Sequence, residues 1–404
     1  MLWSSRGSRV GGRVVLGVVS TLVLAATGYA WSQLSKLDDG IVTANVIPPA
    51  AQIDTEDAPP GEPLKVAQNI LLVGIDARTD AYGNPLPQNV LDALHAGSGD
   101  DGGDTTDTII VVHIPAGGAA ATAISIPRDS YVDIAGGYGK HKINSAYSRG
   151  KNASMSGLRA QGLSGAQLEV AANEAGAKTT IQTVEKFTGL TINHYASINL
   201  AGFDALSQAV GGVEVCLKAP VHDTYSGADF PAGTQTLSGA QALAFVRQRH
   251  GLLNGDLDRI ARQQAFLSGM AKTVLNAGTF TEPSKLNALV SAVQGAVVLD
   301  KGWDVLSFAQ QLRGMTSGAI GFATIPVQSL SLATPSDGDA VKVDPGQVQQ
   351  FVRTAISTPS VQASGDAAVG VRPVAATGST TPTPDKSSDK TEQPATSTAA
   401  GCVN

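Results

Sequence analysis

Asn69–Ile75 reads NILLVGI, Thr108–Ile114 reads TIIVVHI and Ala121–Ile126 reads ATAISI. Each is a short, continuous apolar run of strand length. Strands apolar on nearly every residue are buried on both faces, which requires helices above and below the sheet. Helical periodicity follows around Gly176–Phe187, Leu200–Val210, Ser238–Arg247 and Asp256–Leu275, and further helices are expected at 284–297, 303–315 and 345–357. Strands expected at Tyr195–Ile198, Val213–Leu217 and Ile320–Ile325 lie among them. The alternation predicts an α/β chain: a three-layer α/β/α domain with a mixed central sheet over residues 66–358.

The flanks of that domain read differently. Arg6, Arg9 and Arg13 precede an uncharged apolar stretch, 14–31, and Lys36, Asp38 and Asp39 follow it. A stretch of that length sits at the lower edge of what a helix needs to cross roughly 30 Å of hydrocarbon. The arginines place residues 1–13 in the cytoplasm and send the remainder outward, as expected of a single-pass protein of the cell membrane. A cleaved signal peptide is the rival reading, because Gly28 and Ala30 are small residues of the kind a peptidase requires. Residues 32–65 carry Pro48, Pro49, Pro59 and Pro60 and are expected to form an extracytoplasmic linker. From 359 to 404 the chain turns to Ser, Thr, Pro and Ala, which bury too little apolar surface to order themselves.

The whole chain of 404 residues is 42% hydrophobic, enough for a sizeable core, and its formal charge of -6 argues against a nucleic-acid partner. Cys216 and Cys402 are the only cysteines, far apart and in no metal-ligand spacing. Export permits them to pair, and a bridge would pin the tail back onto the domain; Cys216 as a small core residue is the alternative.

Charged chemistry concentrates in Phe245–Gln264, FVRQRHGLLNGDLDRIARQQ. Arg247 and Arg249 alternate, and Arg259 and Arg262 stand three apart on a helix that Asp256 is expected to cap. Guanidinium groups beside a helix N-terminus suit phosphate oxygens, although a solvated basic face paired with Asp256 and Asp258 has the same composition. Two acids stand apart from these. Asp76 ends the first buried strand and Asp107 precedes the second, where ligand sites in open α/β sheets gather. Two carboxylates with few other ligands suit Mg²⁺, which keeps several waters and is completed by substrate phosphates; a strand-start turn explains Asp107 equally well. SIPRDS (125–130) offers Arg128, and KINSAY (142–147) offers Lys142 and Tyr147. No GxSxG elbow, HExxH pair or Walker A loop occurs, which disfavours serine hydrolases, zincins and P-loop enzymes.

Taken in order, NILLVGIDAR, TTDTIIVVHI, SIPRDS, KINSAY, HYASINLAGFDALSQAVGGVEV and LSGAQALAFVRQRHGLLNGDLDRIARQQ resemble the LytR-CpsA-Psr family of cell-wall glycopolymer ligases, over about residues 68–330. The resemblance implies a membrane-tethered extracytoplasmic α/β domain whose hydrophobic cavity holds a polyprenyl chain. It further implies a phosphotransferase that joins a glycan carried on polyprenyl pyrophosphate to a peptidoglycan hydroxyl through a phosphodiester, with Mg²⁺ assisting. Residue by residue, Asp76 and Asp107 match the metal-associated acids, and Arg78 and Arg128 the substrate-contacting arginines. Arg247 and Arg249 match the RxR pair, Arg259, Arg262 and Gln263 the DxxRxxRQ motif, and Lys142 the KINxAY segment. Arg128, Arg247, Arg249 and Arg259 are expected to be catalytic; with Arg78, Lys142, Arg262 and Gln263 they would bind the pyrophosphate. One departure is Thr105, where the family often has an arginine two residues before the second acid. High Ala and Gly usage points to a high-GC Gram-positive source, for which arabinogalactan is a natural polymer to transfer. The alternatives are a hydrolase of lipid-linked glycan pyrophosphate, which uses water as acceptor, and a non-catalytic envelope regulator or binding protein.

Overall fold

The computed structural model describes residues 41–53, 65–99, 103–117, 119–252, 255–275, 291, 294–303, 320–357 and 402–404. At its centre lies a seven-stranded sheet. It comprises β1 (Val42–Ala44), β2 (Gln68–Ile75), β3 (Thr106–Ile114), β4 (Ala121–Ser125), β7 (His194–Asn199), β12 (Val297–Asp300) and β13 (Ile320–Thr324). Their order is β1-β12-β7-β2-β3-β4-β13. The sheet is mixed: β2 runs parallel to β7 and antiparallel to β3, while β13 runs parallel to β4.

Alternation along β2 assigns its two faces. Leu71, Val73 and Ile75 join Ile109, Val111 and Ile124 in the main core, packed beneath α2 (Ser145–Ala160), α3 (Gly165–Thr188) and α7 (Pro345–Ser357) through Tyr147, Ile181, Val184, Phe187, Val348 and Val352. Leu72 and Gly74 face the other way. There the sheet meets α4 (Leu200–Ala209), α5 (Gly239–Arg247) and α6 (Asp256–Leu275), which have their own core around Leu243, Phe245 and Phe266. That core also holds Leu91 and Leu94, from and just beyond α1 (Gln88–Ala93), and residues of β8 (Val213–Leu217), β10 (Ala228–Phe230) and β11 (Gly233–Leu237). β9 (Val221–Asp223) pairs with β10 in a hairpin, and β5 (Tyr131–Ile134) pairs with β6 (Gly139–Lys142). A last hairpin, β14 (Ser329–Ala333) with β15 (Asp339–Lys342), precedes α7.

Several expectations change. Part of the linker expected over 32–65 belongs to the domain: β1 pairs in register with β12 as an edge strand and its Ala44 joins the main core. Three residues are too few for a periodic signal. The expected helices at 284–297 and 303–315 fall almost wholly outside the described residues, and Val297 opens a strand instead. The 14–31 anchor lies outside them too, and no helix among the described residues is long and apolar enough to cross a membrane. At the chain's end, Cys216 and Cys402 form a disulfide and Val403 adds beside β8, its N–H donating to the Cys216 carbonyl at 2.9 Å.

Candidate active site

Between the hollow face of the sheet and α4–α6 lies an open-mouthed cavity of about 1140 Å³, counting the solvent at its mouth. Leu72 and Gly74 of β2, Ile110 of β3 and Ala196 and Ile198 of β7 form its floor, and Phe203, Leu206, Leu243 and Val246 form much of the opposite wall. Helix α6 gives the cavity its direction. Arg259, Gln263, Phe266, Leu267 and Met270 all line it, spaced so that one stripe runs down the helix at about 3.6 residues per turn. The stripe is polar near the helix N-terminus and apolar beyond it. One end of the cavity is therefore charged and the rest is greasy.

The charged end is built where β2 and β3 run out. Gly74 pairs with Thr108, but Ile75 pairs with Thr106, so Asp107 is an extra residue bulged out of β3. Strict alternation would turn Asp107 toward the main core with Ile109. The bulge re-aims it into the cavity beside Asp76, whose N–H donates to the Thr105 carbonyl at 2.9 Å. Asp107 was expected just ahead of its strand; it lies inside it.

Each acid has an arginine. Arg78 donates from Nη1 to Asp76 Oδ1 and from Nε to the Ala96 carbonyl at 3.0 Å, and Arg128 Nη1 lies 2.5 Å from Asp107 Oδ1. Asp129 gathers three cations: Arg249 at 3.5 Å, Lys142 at 3.5 Å and Arg128 Nε at 3.7 Å. Arg259 pairs with Asp256 one turn earlier on α6, so Asp256 acts as a buried counter-ion at the helix start. Arg247 lines the cavity and donates from Nη1 to the Leu94 and His95 carbonyls at 3.1 and 3.3 Å, just beyond the end of α1.

Burial raises the Asp107 pKa, but Arg128, Arg259 and Arg249 outweigh it and hold the carboxyl below its ordinary value. Burial works against the Arg259 charge and, despite Asp256, its pKa is lowered, with Arg128 and Arg249 adding like-charge repulsion. A guanidinium so placed gains from an incoming anion.

Arg262 does not join this group. Three residues on from Arg259 it turns off the cavity stripe, is fully buried, stacks over Phe245 with its carbon 5.1 Å from the ring centroid, and donates to Gln248 Oε1 and the Asn404 carbonyl. Burial pushes its pKa down to about 10. It is a structural arginine here, and its place in the expected pyrophosphate set is corrected accordingly. Gln264 went unnoticed in the sequence. Its amide donates to Ser125 Oγ at 2.9 Å and Thr324 Oγ1 at 3.2 Å, docking α6 onto the ends of β4 and β13. Lys151 was likewise unnoticed: its buried Nζ bridges Asp104 and Glu169 at 2.6 and 2.5 Å, fixing the approach to β3. Only the RQQ spelling hinted at the first, and nothing marked the second.

Asp76, Asp107, Arg247, Arg259 and Gln263 thus line one cavity, with Arg78 and Arg128 paired to its acids and Arg249 and Lys142 gathered on Asp129. The chain is 44% identical over 346 residues to the cell wall biosynthesis protein LcpA of Corynebacterium glutamicum, covering 85% of this chain and 65% of that protein. It is 33% identical to the polyisoprenyl-teichoic acid–peptidoglycan teichoic acid transferase TagU of Enterococcus faecalis, covering 55% of this chain and 64% of that one. The chain therefore spans slightly under two-thirds of these relatives' lengths. The crystal structure of Bacillus subtilis TagV shares the fold, with a TM-score of 0.52 at 24% identity over 72% of this chain and 98% of that one. The model of the LytR_cpsA_psr family matches residues 50–354, and the chain belongs to that family.

Proposed function

We propose that this domain transfers a glycan phosphate from a polyprenyl-pyrophosphate-linked glycopolymer to a peptidoglycan hydroxyl. The observation that carries the reading is the cavity's polarity: an apolar chamber fit for a polyprenyl chain, ending at arginines fit for a pyrophosphate. Charge supports it as well. Arg78, Arg128, Lys142, Arg247, Arg249 and Arg259 outnumber Asp76, Asp107, Asp129 and Asp256 at this end, which favours an anionic head group. The name of the TagU relative describes the same class of transfer between a polyisoprenyl-linked polymer and peptidoglycan.

In this reading Arg247, Arg249 and Arg259 hold the pyrophosphate at the cavity end while the acceptor hydroxyl attacks the glycan-proximal phosphorus in line. The bond to the bridging oxygen breaks, and polyprenyl phosphate, whose freed oxygen takes up the hydroxyl proton, leaves along the apolar chamber. Positioning and charge neutralisation would carry the catalysis, as phosphoryl transfer requires. Asp107, held below the ordinary carboxylate range, suits holding charge better than taking a proton. Two carboxylates with few other ligands suit Mg²⁺ completed by waters and substrate phosphates, and each acid engages its arginine through Oδ1. Asp76 and Asp107 would hold the ion, which supplies further neutralisation of the phosphates when bound. The 14–31 anchor would keep the domain at the membrane that delivers the donor, and arabinogalactan is the polymer we expect.

The test incubates purified protein with lipid-linked arabinogalactan precursor and peptidoglycan. Covalent transfer is expected, and Arg247→Ala should reduce it by about 10²–10³-fold, the cost of removing one donor from an oxyanion site. Its thermal midpoint should change little, because Arg247 reaches only backbone carbonyls. Free glycan phosphate in place of transfer would make the protein a hydrolase, and no turnover would make it a binder.

A further inference from the structure

The β9–β10 hairpin stands at the arginine rim, and two contacts fasten it there. Its turn residue Gly227, at φ +75°, lies so close to His95 that a Cβ there would meet the imidazole Cδ2 at 2.8 Å. The carbonyl of that same His95 accepts from Arg247. The second contact is Asp223, a buried carboxylate that accepts from Ser226 Oγ at 2.8 Å and from the Tyr225 N–H at 3.0 Å. Asp223 also receives the backbone N–H of Arg249 and lies 3.6 Å from His250 Nδ1. The hairpin is thereby tied to both arginines of the RxR motif.

What it presents at that rim is aromatic. Tyr225 is 75% exposed, one of only three large apolar side chains left open among the described residues. Its ring lies over the His250 imidazole, centroids 4.2 Å apart and planes inclined by 31°. No core demands an aromatic there, and its side chain carries none of the bonds that fasten the hairpin. An exposed ring whose backbone is fixed loses little entropy on binding a flat partner. The negative face of an aromatic ring attracts polarised C–H bonds, which a pyranose displays on one face.

We propose that Tyr225, backed by His250, is a sugar-stacking subsite that receives a pyranose ring of the donor next to its pyrophosphate. This rests on the transfer reading above. If the phosphates lie against Arg247 and Arg249, the sugar esterified to them emerges at the rim where Tyr225 stands, while the polyprenyl chain runs the opposite way. Peptidoglycan also carries pyranose rings, so the experiment separates the two sources.

Binding of three probes to the full chain is measured: a polyprenyl pyrophosphate without sugar, the same lipid carrying N-acetylglucosamine, and a soluble peptidoglycan disaccharide fragment. For Tyr225→Ala, affinity for the sugar-bearing lipid should fall about threefold to tenfold, the range of one aromatic contact, while the bare lipid binds as before. Tyr225→Trp should restore the difference, and Tyr225→Leu, which keeps bulk without a π face, should not. Equal weakening on both lipids, or none on the sugar-bearing one, overturns the subsite. Loss confined to the peptidoglycan fragment overturns its assignment to the donor. If the unaltered protein binds neither lipid, the transfer reading itself falls, a result distinct from failure of Tyr225 alone.

Discussion

At the scale of single residues, the site is a balance of like and unlike charges rather than a set of independent contacts. Asp107 shows it best. Burial alone would push its pKa up, yet Arg128, Arg259 and Arg249 together hold it down. A carboxyl whose native pKa lies below its unfolded value stabilises the fold fully above the ordinary value of about 3.9. That contribution is lost as pH falls through the depressed native value. Wild-type protein, freed of divalent cations by chelation, should therefore lose thermal stability steeply below about pH 4. Asp107→Asn, which titrates in neither state, should start lower at neutral pH and show a flatter acid limb. Some slope remains in the variant, because Asp223 and Asp337 are depressed as well. Identical acid limbs would mean that the arginines do not act on Asp107.

At the scale of elements, α6 does most to define the site, and most of it was legible. Its periodicity and its arginines could be read directly from Asp256–Leu275, as could the buried strands β2, β3 and β4, because long apolar runs and regular stripes survive in sequence. The bulge at Asp107 was not legible: alternation assumes an unbroken register, and a single inserted residue leaves no compositional mark. Helix α2 escaped as well, being polar over most of its length and burying only Ala146, Tyr147, Gly150 and Lys151. Arg262 was misplaced because motif spacing groups it with Arg259, while helical geometry rotates it away. The apolar half of the α6 stripe makes its own prediction. Leu267→Trp would fill chamber volume meant for isoprene units. At about 0.8 kcal/mol per buried CH₂, excluding even two such groups weakens binding of a long polyprenyl phosphate roughly tenfold. Equilibrium binding of a long-chain and a two-isoprene phosphate checks this, since only the long chain should suffer; equal loss on both would place the lipid elsewhere.

At the scale of the whole molecule, the two faces of the sheet are held by different means. Beneath α2, α3 and α7 the face is held mainly by interlocking side chains, with Lys151 tying α2 to Asp104 and Glu169. The face under α4–α6 is hollow, so the helices that carry the arginines lack a continuous core against the sheet. The disulfide works on this weaker half. It holds residues 402–404 against β8, where Lys218 N–H donates to the Val403 carbonyl at 2.8 Å and Val403 joins the core of α5 and α6. Through the Asn404 carbonyl it also gives Arg262 a partner it would otherwise lose inside the protein. Helix α6 lies close enough to β8 that a Cβ on Gly269 would meet Val213 at 2.6 Å, so anything that loosens β8 reaches the cavity wall directly. Opening a bridge between residues 186 apart should cost about 2–4 kcal/mol. Cys402→Ser should accordingly lower the thermal midpoint by several degrees, and Cys216→Ser by a similar amount. The double variant should fall no further than either single one, because one bond is lost in every case. Additive losses would show that the cysteines contribute separately as packed side chains, and that the tail does not brace the arginine-bearing layer.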